Sequence, residues 1–480
     1  MARTKQQQAV IDAVINNDGL VKTSAVAGSG KTFTLVELAN ELQPKSGLYL
    51  AYNKSISEEA TQKFKGTNIK CSTIHSLAYN AVVRQYGLNV GYFGPRNVEP
   101  STTKYTDKME LVNSIEEFCL SAHIDPEDYL TSVKANSTQR SLFWHHLNKM
   151  SDGTMQCTHS FYLKLYHIYL HDGTIEAPEV DILLIDEAGD LTELTIEIFK
   201  LIKSPKKVAV GDPMQNIYSF NNTVNAFKVL ANEGIEANLT ESFRVSDKIA
   251  KGIQGFVRKH VNNKFQFKGH KYHTSTPIVT SAYIARNNVG LLSEMFKYME
   301  NGIPFHCTRK IDHILELPLV LANLGNGKPI TEYKYKHIEK LRLAWERSTA
   351  LQQLYTIGSY VAKNIGQDDE VTAAFRLVHQ HGPMDLNNLA KYARECAKTA
   401  CNHTFTTAHS SKGLEWDSVT LDTDLNQAVS EAITELSMIN DTPANASIRN
   451  KLEEELRLYY VACSRAKLKL NNATHLTKVI

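Results

Sequence analysis

The feature that leaves this chain the fewest choices is the stretch Ser24-Ala25-Val26-Ala27-Gly28-Ser29-Gly30-Lys31-Thr32, answered much later by Ile182-Leu183-Leu184-Ile185-Asp186-Glu187. A triphosphate carries several negative charges, and caging it takes backbone N–H groups that point inward. Gly28 and Gly30 let a loop wrap closely enough for the Ala27 to Thr32 backbone to supply them. Lys31 then meets the outer phosphates as a point charge, and Thr32 offers its hydroxyl to a magnesium ion. The residues that follow open a helix whose N-terminus faces the phosphates. Ile182 to Ile185 reads as a buried strand of a parallel sheet, whose carboxyl end delivers Asp186 and Glu187 to a ligand crevice. Asp186 suits the metal and Glu187 the attacking water, which is what phosphoryl transfer asks of a protein. A glycine-rich turn without a ligand and a solvated acidic pair are the plain alternatives, and each motif weighs against the bland reading of the other.

Around these motifs the pattern is α/β. Strand-like runs alternate with helical periodicity over residues 1–82 and again over 178–255, and long amphipathic stretches between them, 83–177, read as a helical insertion. A second α/β region is expected to begin near Pro277-Ile278-Val279-Thr280, within a span of 256–307. It is interrupted over 308–400 and resumes over 401–480. Lys plus Arg number 53 against 51 Asp plus Glu, so any nucleic-acid track must be local rather than global. The 7 cysteines form no C-x-x-C pair, which fits free thiols in a reducing compartment, although Cys396, Cys401 and His403 lie close in sequence. With no apolar leader and no long apolar run, the expectation is a soluble, intracellular protein with no membrane partner.

Further motifs follow in order. Gly211-Asp212-Pro213-Met214-Gln215-Asn216-Ile217-Tyr218-Ser219-Phe220 puts an amide where it can meet a terminal phosphate, with an aromatic five residues on that stacks on another ligand or fills a core. Phe243-Arg244 and Ser464-Arg465 set guanidinium groups where developing phosphate charge would need them, or stand as surface cations. Thr407-Ala408-His409-Ser410-Ser411-Lys412-Gly413-Leu414-Glu415-Trp416 is hard to explain as packing. Tyr333 to Arg347 interleaves aromatics with cations, reading equally as a nucleic-acid contact or a helix that packs Leu341, Leu343 and Trp345 inward. Phe143-Trp144 and Phe161-Tyr162-Leu163 read as core stripes.

In order and spacing, this set resembles the UvrD/Rep type of superfamily 1 DNA helicases. The tracts Ala51-Tyr52-Asn53-Lys54 and Ser72-Thr73-Ile74-His75-Ser76 look closest to the F-box DNA helicase branch and its compact phage relatives. The resemblance implies two RecA-like P-loop domains with parallel sheets, each carrying a mainly helical insertion. It implies ATP and magnesium as ligands and single-stranded DNA, with its duplex junctions, as the track, followed 3′ to 5′ by a protein that works as a monomer. It places the protein at DNA, in the nucleus if the source is eukaryotic. By the same resemblance Gln6 reads adenine, Phe243 stacks on it and Glu415 lies near the ribose. Lys31 and Thr32 contact phosphate and magnesium, Asp186 the metal; Glu187 is the base, Gln215 the γ-phosphate sensor, and Arg244 and Arg465 the arginine fingers. Tyr52, Asn53, Thr73, His75, Phe220 and His409 face single-stranded DNA. The chain departs from the family pattern at Ala25, at Gly189 in place of a common glutamine, and at Asn221 in place of an arginine. A translocase that strips proteins from single strands without separating duplex, and a nonhydrolysing nucleic-acid scaffold, are the rival readings; the complete carboxylate and arginine set counts against the scaffold.

Overall fold

Alternation of short apolar runs with helical periodicity builds two all-parallel sheets, one in each of two compact units, Met1–Ser242 and Phe243–Ile480. The computed structural model describes residues 3–101, 103–218, 223–273, 275–331, 333–341, 357–366 and 368–477.

In the first unit the strands are β1 (Gly19–Ala25), β2 (Gly47–Ala51), β3 (Ile69–Thr73), β4 (Ile182–Ile185), β5 (Lys206–Gly211) and β6 (Ile235–Leu239), in the order β3-β2-β4-β5-β1-β6. Every neighbouring pair is parallel. Parallel alignment puts all the carboxyl ends on one edge, so the segments that leave β1, β2, β3, β4 and β5 gather there. Helices cover both faces, which is why β4 is buried at all four positions. Successive residues feed opposite cores: Leu48, Leu50, Leu183 and Ile185 enter one, and Tyr49, Ala51, Ile182 and Leu184 enter the other with Leu35 and Leu38.

The stretch 83–177 is helical among its described residues, with helices Tyr105–Leu120, Pro126–Ser132, Ser137–Ser151 and His159–His171. Its Phe118, Phe143, Phe161 and Tyr166 share one core with Leu48, Leu50, Leu183 and Ile185, so this segment is bonded to the sheet by apolar packing rather than set apart from it. The helix Ile74–Ala78 that leaves β3 continues through a π-turn at Tyr79–Val83 to Tyr86, past the expected boundary at 82.

The second unit carries β7 (Ser281–Ala285), β8 (His306–Cys307), β9 (His403–Thr407), β10 (Trp416–Leu421) and β11 (Ala466–Asn471), in the order β8-β9-β7-β10-β11 and parallel throughout. β7 starts later than the sequence suggests. Pro277 has no N–H, and the N–H groups of Val279 and Thr280 go to Asp417 Oδ2 at 3.0 and 2.9 Å instead of to a neighbouring strand. Helix Asp247–His260, which the expected boundary at 255 divides between the two α/β regions, lies within the second unit: its Phe256 ring is 5.1 Å from that of Tyr459. The interrupting stretch is again helical among its described residues, and its long helix Asp369–Cys396 breaks at Gly382, where φ is 71°, just before Pro383. Lys334 to Lys340 sit in a 3-10 turn over Tyr333–Leu341 that buries Ile338 and Leu341, whereas Arg342, Leu343, Trp345 and Arg347 lie outside the described residues. Among the described residues no helix is long and apolar enough to cross a membrane.

Candidate active site

The phosphate loop is built from the end of β1. Ala25 is still in the strand, paired with Leu239 and buried, so a position that opens on glycine in the resembled family needs no special backbone here. The two positions that require a left-handed backbone are glycine: Gly28 has φ 74° and Gly30 has φ 81°. Gly30 caps the helix Lys31–Leu42, and its carbonyl receives both the N–H and the hydroxyl of Thr34, at 2.9 and 3.0 Å. The loop is braced from outside by Ser242, whose Oγ donates to the Ala27 carbonyl at 2.7 Å, and by Gln7, whose Nε2 donates to the Ser29 carbonyl at 3.4 Å.

At the shared carboxyl edge of the sheet the loop meets the end of β4. Lys31 Nζ stands 2.8 Å from Glu187 Oε2, and Thr32 Oγ1 stands 3.4 Å from Asp186 Oδ2. That same Asp186 oxygen accepts the Tyr49 hydroxyl at 3.0 Å, while Oδ1 accepts the Glu187 N–H at 2.8 Å. Glu187 itself is left-handed, with φ 53° and ψ 40°, a conformation that costs a non-glycine residue about 1–2 kcal/mol and that the surrounding contacts must hold in place. Burial raises the pKa of Asp186 above the usual carboxylate range, against the pull of Lys31. Burial works to lower that of Lys31, but the carboxylates of Glu187 and Asp186 outweigh it and hold the ammonium charged.

A hydroxyl and a carboxylate are hard oxygen donors, which fits magnesium better than a softer metal. Among the described residues no group of three or more His, Cys, Asp or Glu side chains is placed to hold a metal. Magnesium bound with a nucleotide is commonly held by one or two protein oxygens and completed by phosphate and water.

The next loop explains a departure from the family pattern. Asp212 Oδ1 accepts the Met214 N–H at 3.0 Å and its Oδ2 accepts Gln215 Nε2 at 2.8 Å, so Gln215 is buried and aimed by Asp212. The loops after β4 and β5 approach so closely that a Cβ on Gly189 would lie 2.7 Å from the Asp212 carbonyl oxygen, and one on Gly211 would lie 2.7 Å from the Ala188 nitrogen. No side chain fits at 189, glutamine included. Gln6 is held by both ends of its amide, donating to Thr240 Oγ1 and accepting the Thr240 N–H, each at 2.8 Å.

Of the residues expected to face single-stranded DNA, Tyr52, Asn53, Thr73 and His75 follow β2 and β3 on the same edge of the first sheet. Tyr52 is 45% exposed just beyond β2. Asn53 and Thr73 each cap a helix, accepting the N–H of Ile56 at 2.9 Å and of Ser76 at 3.1 Å, so both have a local structural duty as well. His75 is exposed, with its ring 5.9 Å from that of Tyr162. Phe220 and Asn221 lie outside the described residues.

In the second unit Phe243 is 40% exposed and Arg244 pairs with Glu415. Glu415 also takes Lys467 Nζ at 2.9 Å. Partial burial would raise the Glu415 pKa, but Lys467 and Arg244 bring it below the usual value. Arg465 is 1% exposed, its guanidinium donating to the carbonyls of Val461 and Leu414 at 2.9 and 3.2 Å and to Ser464 Oγ at 2.8 Å. Glu415 and Arg465 immediately precede β10 and β11, whereas His409 follows the carboxyl end of β9, so these residues occupy opposite edges of one sheet. Sequence reasoning missed Tyr49, which reads only as one apolar position of a strand. It also missed Lys467, although the alternation Arg465, Lys467, Lys469 marks one face of a strand.

Comparison with known proteins places the chain in a family. Residues 6–221 match the family model described as AAA domain, and residues 191–475 match the UvrD-like helicase C-terminal domain. F-box DNA helicase protein 1 of Schizosaccharomyces pombe is 26% identical over 544 residues, covering 99% of this chain and 58% of that protein. F-box DNA helicase 1 of Gallus gallus is 28% identical over 282 residues, covering 52% of this chain and 27% of that protein. The chain thus spans little more than half the length of the first relative and about a quarter of the second. With the family's C-terminal domain matched over more than half of its residues, the chain belongs to the UvrD-like helicases of superfamily 1.

Proposed function

We propose that this protein is an ATP-driven motor that moves 3′ to 5′ along single-stranded DNA and separates the duplex ahead of it. The observation that carries the proposal is the meeting of Lys31, Thr32, Asp186 and Glu187 at one sheet edge, together with relatives that are named DNA helicases.

Lys31 is paired with Glu187, and phosphate oxygens of ATP compete for the same ammonium. Binding of nucleotide therefore exchanges one anion for another at Lys31 and releases Glu187 to orient and deprotonate the attacking water. The Gly28 to Thr32 backbone, Thr32 and Asp186 hold the phosphates and magnesium, which when bound offsets phosphate charge. Gln215, aimed by Asp212, senses the terminal phosphate. Gln6 and Phe243 take the adenine, Glu415 the ribose, and Arg244 and Arg465 supply cations where charge develops, which in phosphoryl transfer is worth about 10³ to 10⁵ in rate. Tyr52, Asn53, Thr73, His75, Phe220 and His409 grip the strand through stacking and backbone contacts that are indifferent to sequence.

Strand displacement on forks with a single 3′ or a single 5′ tail tests the proposal, with ATP hydrolysis measured alongside in the presence of single-stranded DNA or RNA. Displacement from the 3′-tailed fork alone, with hydrolysis stimulated by DNA, is the expected result. Movement without strand separation would favour the protein-stripping translocase, displacement from the 5′ tail would overturn the polarity, and absence of hydrolysis would overturn the motor.

A further inference from the structure

Tyr49 has no place in the set of residues carried over from the family, yet its hydroxyl reaches the carboxylate that would hold the metal. Its backbone lies in the middle of β2, in register with Leu184 of β4, two residues before Asp186. The ring is 1% exposed and packs 5.2 Å from that of Phe64, so it is fixed by the core. From there the hydroxyl sits 3.0 Å from Asp186 Oδ2, the same oxygen that the Thr32 hydroxyl approaches at 3.4 Å.

On the reading that Thr32 and Asp186 hold magnesium with the nucleotide, we infer that Tyr49 is a positioning residue for the metal site. A Thr32 hydroxyl turned toward the ion no longer donates to Asp186, and Tyr49 then remains to keep the buried carboxylate oriented. Removing an outer partner of this kind lowers metal affinity by about ten- to a hundredfold.

The test is Tyr49→Phe, which keeps the packed ring and deletes only the hydroxyl. Manganese binding to the full chain with a nonhydrolysable ATP analogue is followed by electron paramagnetic resonance, so the readout does not depend on turnover. Nucleotide binding in EDTA reports the loop without metal. The expected result is manganese affinity lowered by about ten- to a hundredfold with metal-free nucleotide binding unchanged, and no further loss when Tyr49→Phe is added to Asp186→Asn. Manganese affinity equal to that of the unaltered chain would overturn the inference, and so would an equal loss of metal-free nucleotide binding, which would assign Tyr49 to packing alone. Failure of the unaltered chain to bind manganese with nucleotide would instead overturn the nucleotide reading on which this inference rests.

Discussion

Replacing Gly189 with alanine adds one methyl group at the tightest place beside the site. The new Cβ would lie 2.7 Å from the Asp212 carbonyl oxygen and 3.4 Å from its carbon. Non-bonded carbon contacts are comfortable at about 3.5–4.0 Å, so the two loops must separate by most of an ångström, and both colliding groups belong to backbone. No rotamer change relieves that. Overpacking of this kind costs about 1–3 kcal/mol, which in a unit of this size corresponds to roughly 2–12 °C in Tm. The functional cost should be larger, because the atom displaced belongs to the residue that aims Gln215. A misplacement near 1 Å at a reacting centre costs about 10²-fold in rate. Thermal unfolding followed by circular dichroism and steady-state ATP hydrolysis on single-stranded DNA measure the two effects separately. Gly358→Ala is the matched control, since the nearest neighbours of a Cβ there lie at 3.8 and 3.9 Å, ordinary contact distances, and the change should leave stability unchanged or slightly raised. If Gly189→Ala keeps both the melting temperature and the turnover of the parent chain, the close approach of the two loops is not what excludes a side chain at 189.

Three further outcomes are expected. Glu187→Gln should lower turnover by about 10²–10⁴-fold while nucleotide still binds, checked by single-turnover hydrolysis against binding of a fluorescent nucleotide; undiminished turnover would remove Glu187 as the base. Lys31→Ala should weaken binding of nucleotide itself, measured by calorimetry, and unaltered affinity would contradict the phosphate role of Lys31. His167, 1% exposed and with its pKa brought down to about 4 mainly by burial, stays neutral in the fold while the unfolded chain takes up a proton near pH 6.5. Its contribution is therefore complete above that value and is lost as pH falls toward 4, a change of roughly 3 kcal/mol. Urea unfolding at pH 7 and pH 5 should show a smaller difference for His167→Gln than for the parent chain, and an unchanged difference would refute the assignment.

How much of this was legible depends on whether a residue declares itself by type or only by position. The glycines at 28 and 30 are forced by their backbone angles, and Ile182 to Ile185 by burial on both faces, so the loop and the acidic strand end could be read directly. Ala25 and Gly189 look like departures in the sequence, and the structure makes both ordinary: one is inside a strand, the other faces a carbonyl with no room for a side chain. What could not be read is contact between distant strands. Nothing in Leu48-Tyr49-Leu50 separates a core tyrosine from one whose hydroxyl reaches Asp186, and nothing near Pro277 announces that Asp417 will take the N–H groups of Val279 and Thr280. The helix Asp247–His260 straddles the boundary expected at 255 for the same reason, since its apolar face does not say which sheet it will cover.

On the proposed roles of their residues, the two sheets also differ in how they would link nucleotide to DNA. In the first, the glycine loop, the acidic strand end and the segments around Tyr52 and His75 all leave the same edge, so a change at one loop can be felt by its neighbour through side-chain contact, as between Lys31 after β1 and Glu187 after β4. In the second, Glu415 and Arg465 stand at the amino ends of β10 and β11, and His409 stands beyond the carboxyl end of β9. At about 3.3 Å per residue the 6 residues of β10 hold those two edges some ~20 Å apart. On the proposed roles of these residues, the nucleotide contacts and the strand contact of this unit are joined through hydrogen-bonded strands rather than through side chains that touch. Substitutions that preserve packing inside that sheet are accordingly expected to leave the ratio of strand displacement to ATP hydrolysis unchanged, and an altered ratio would count against this separation.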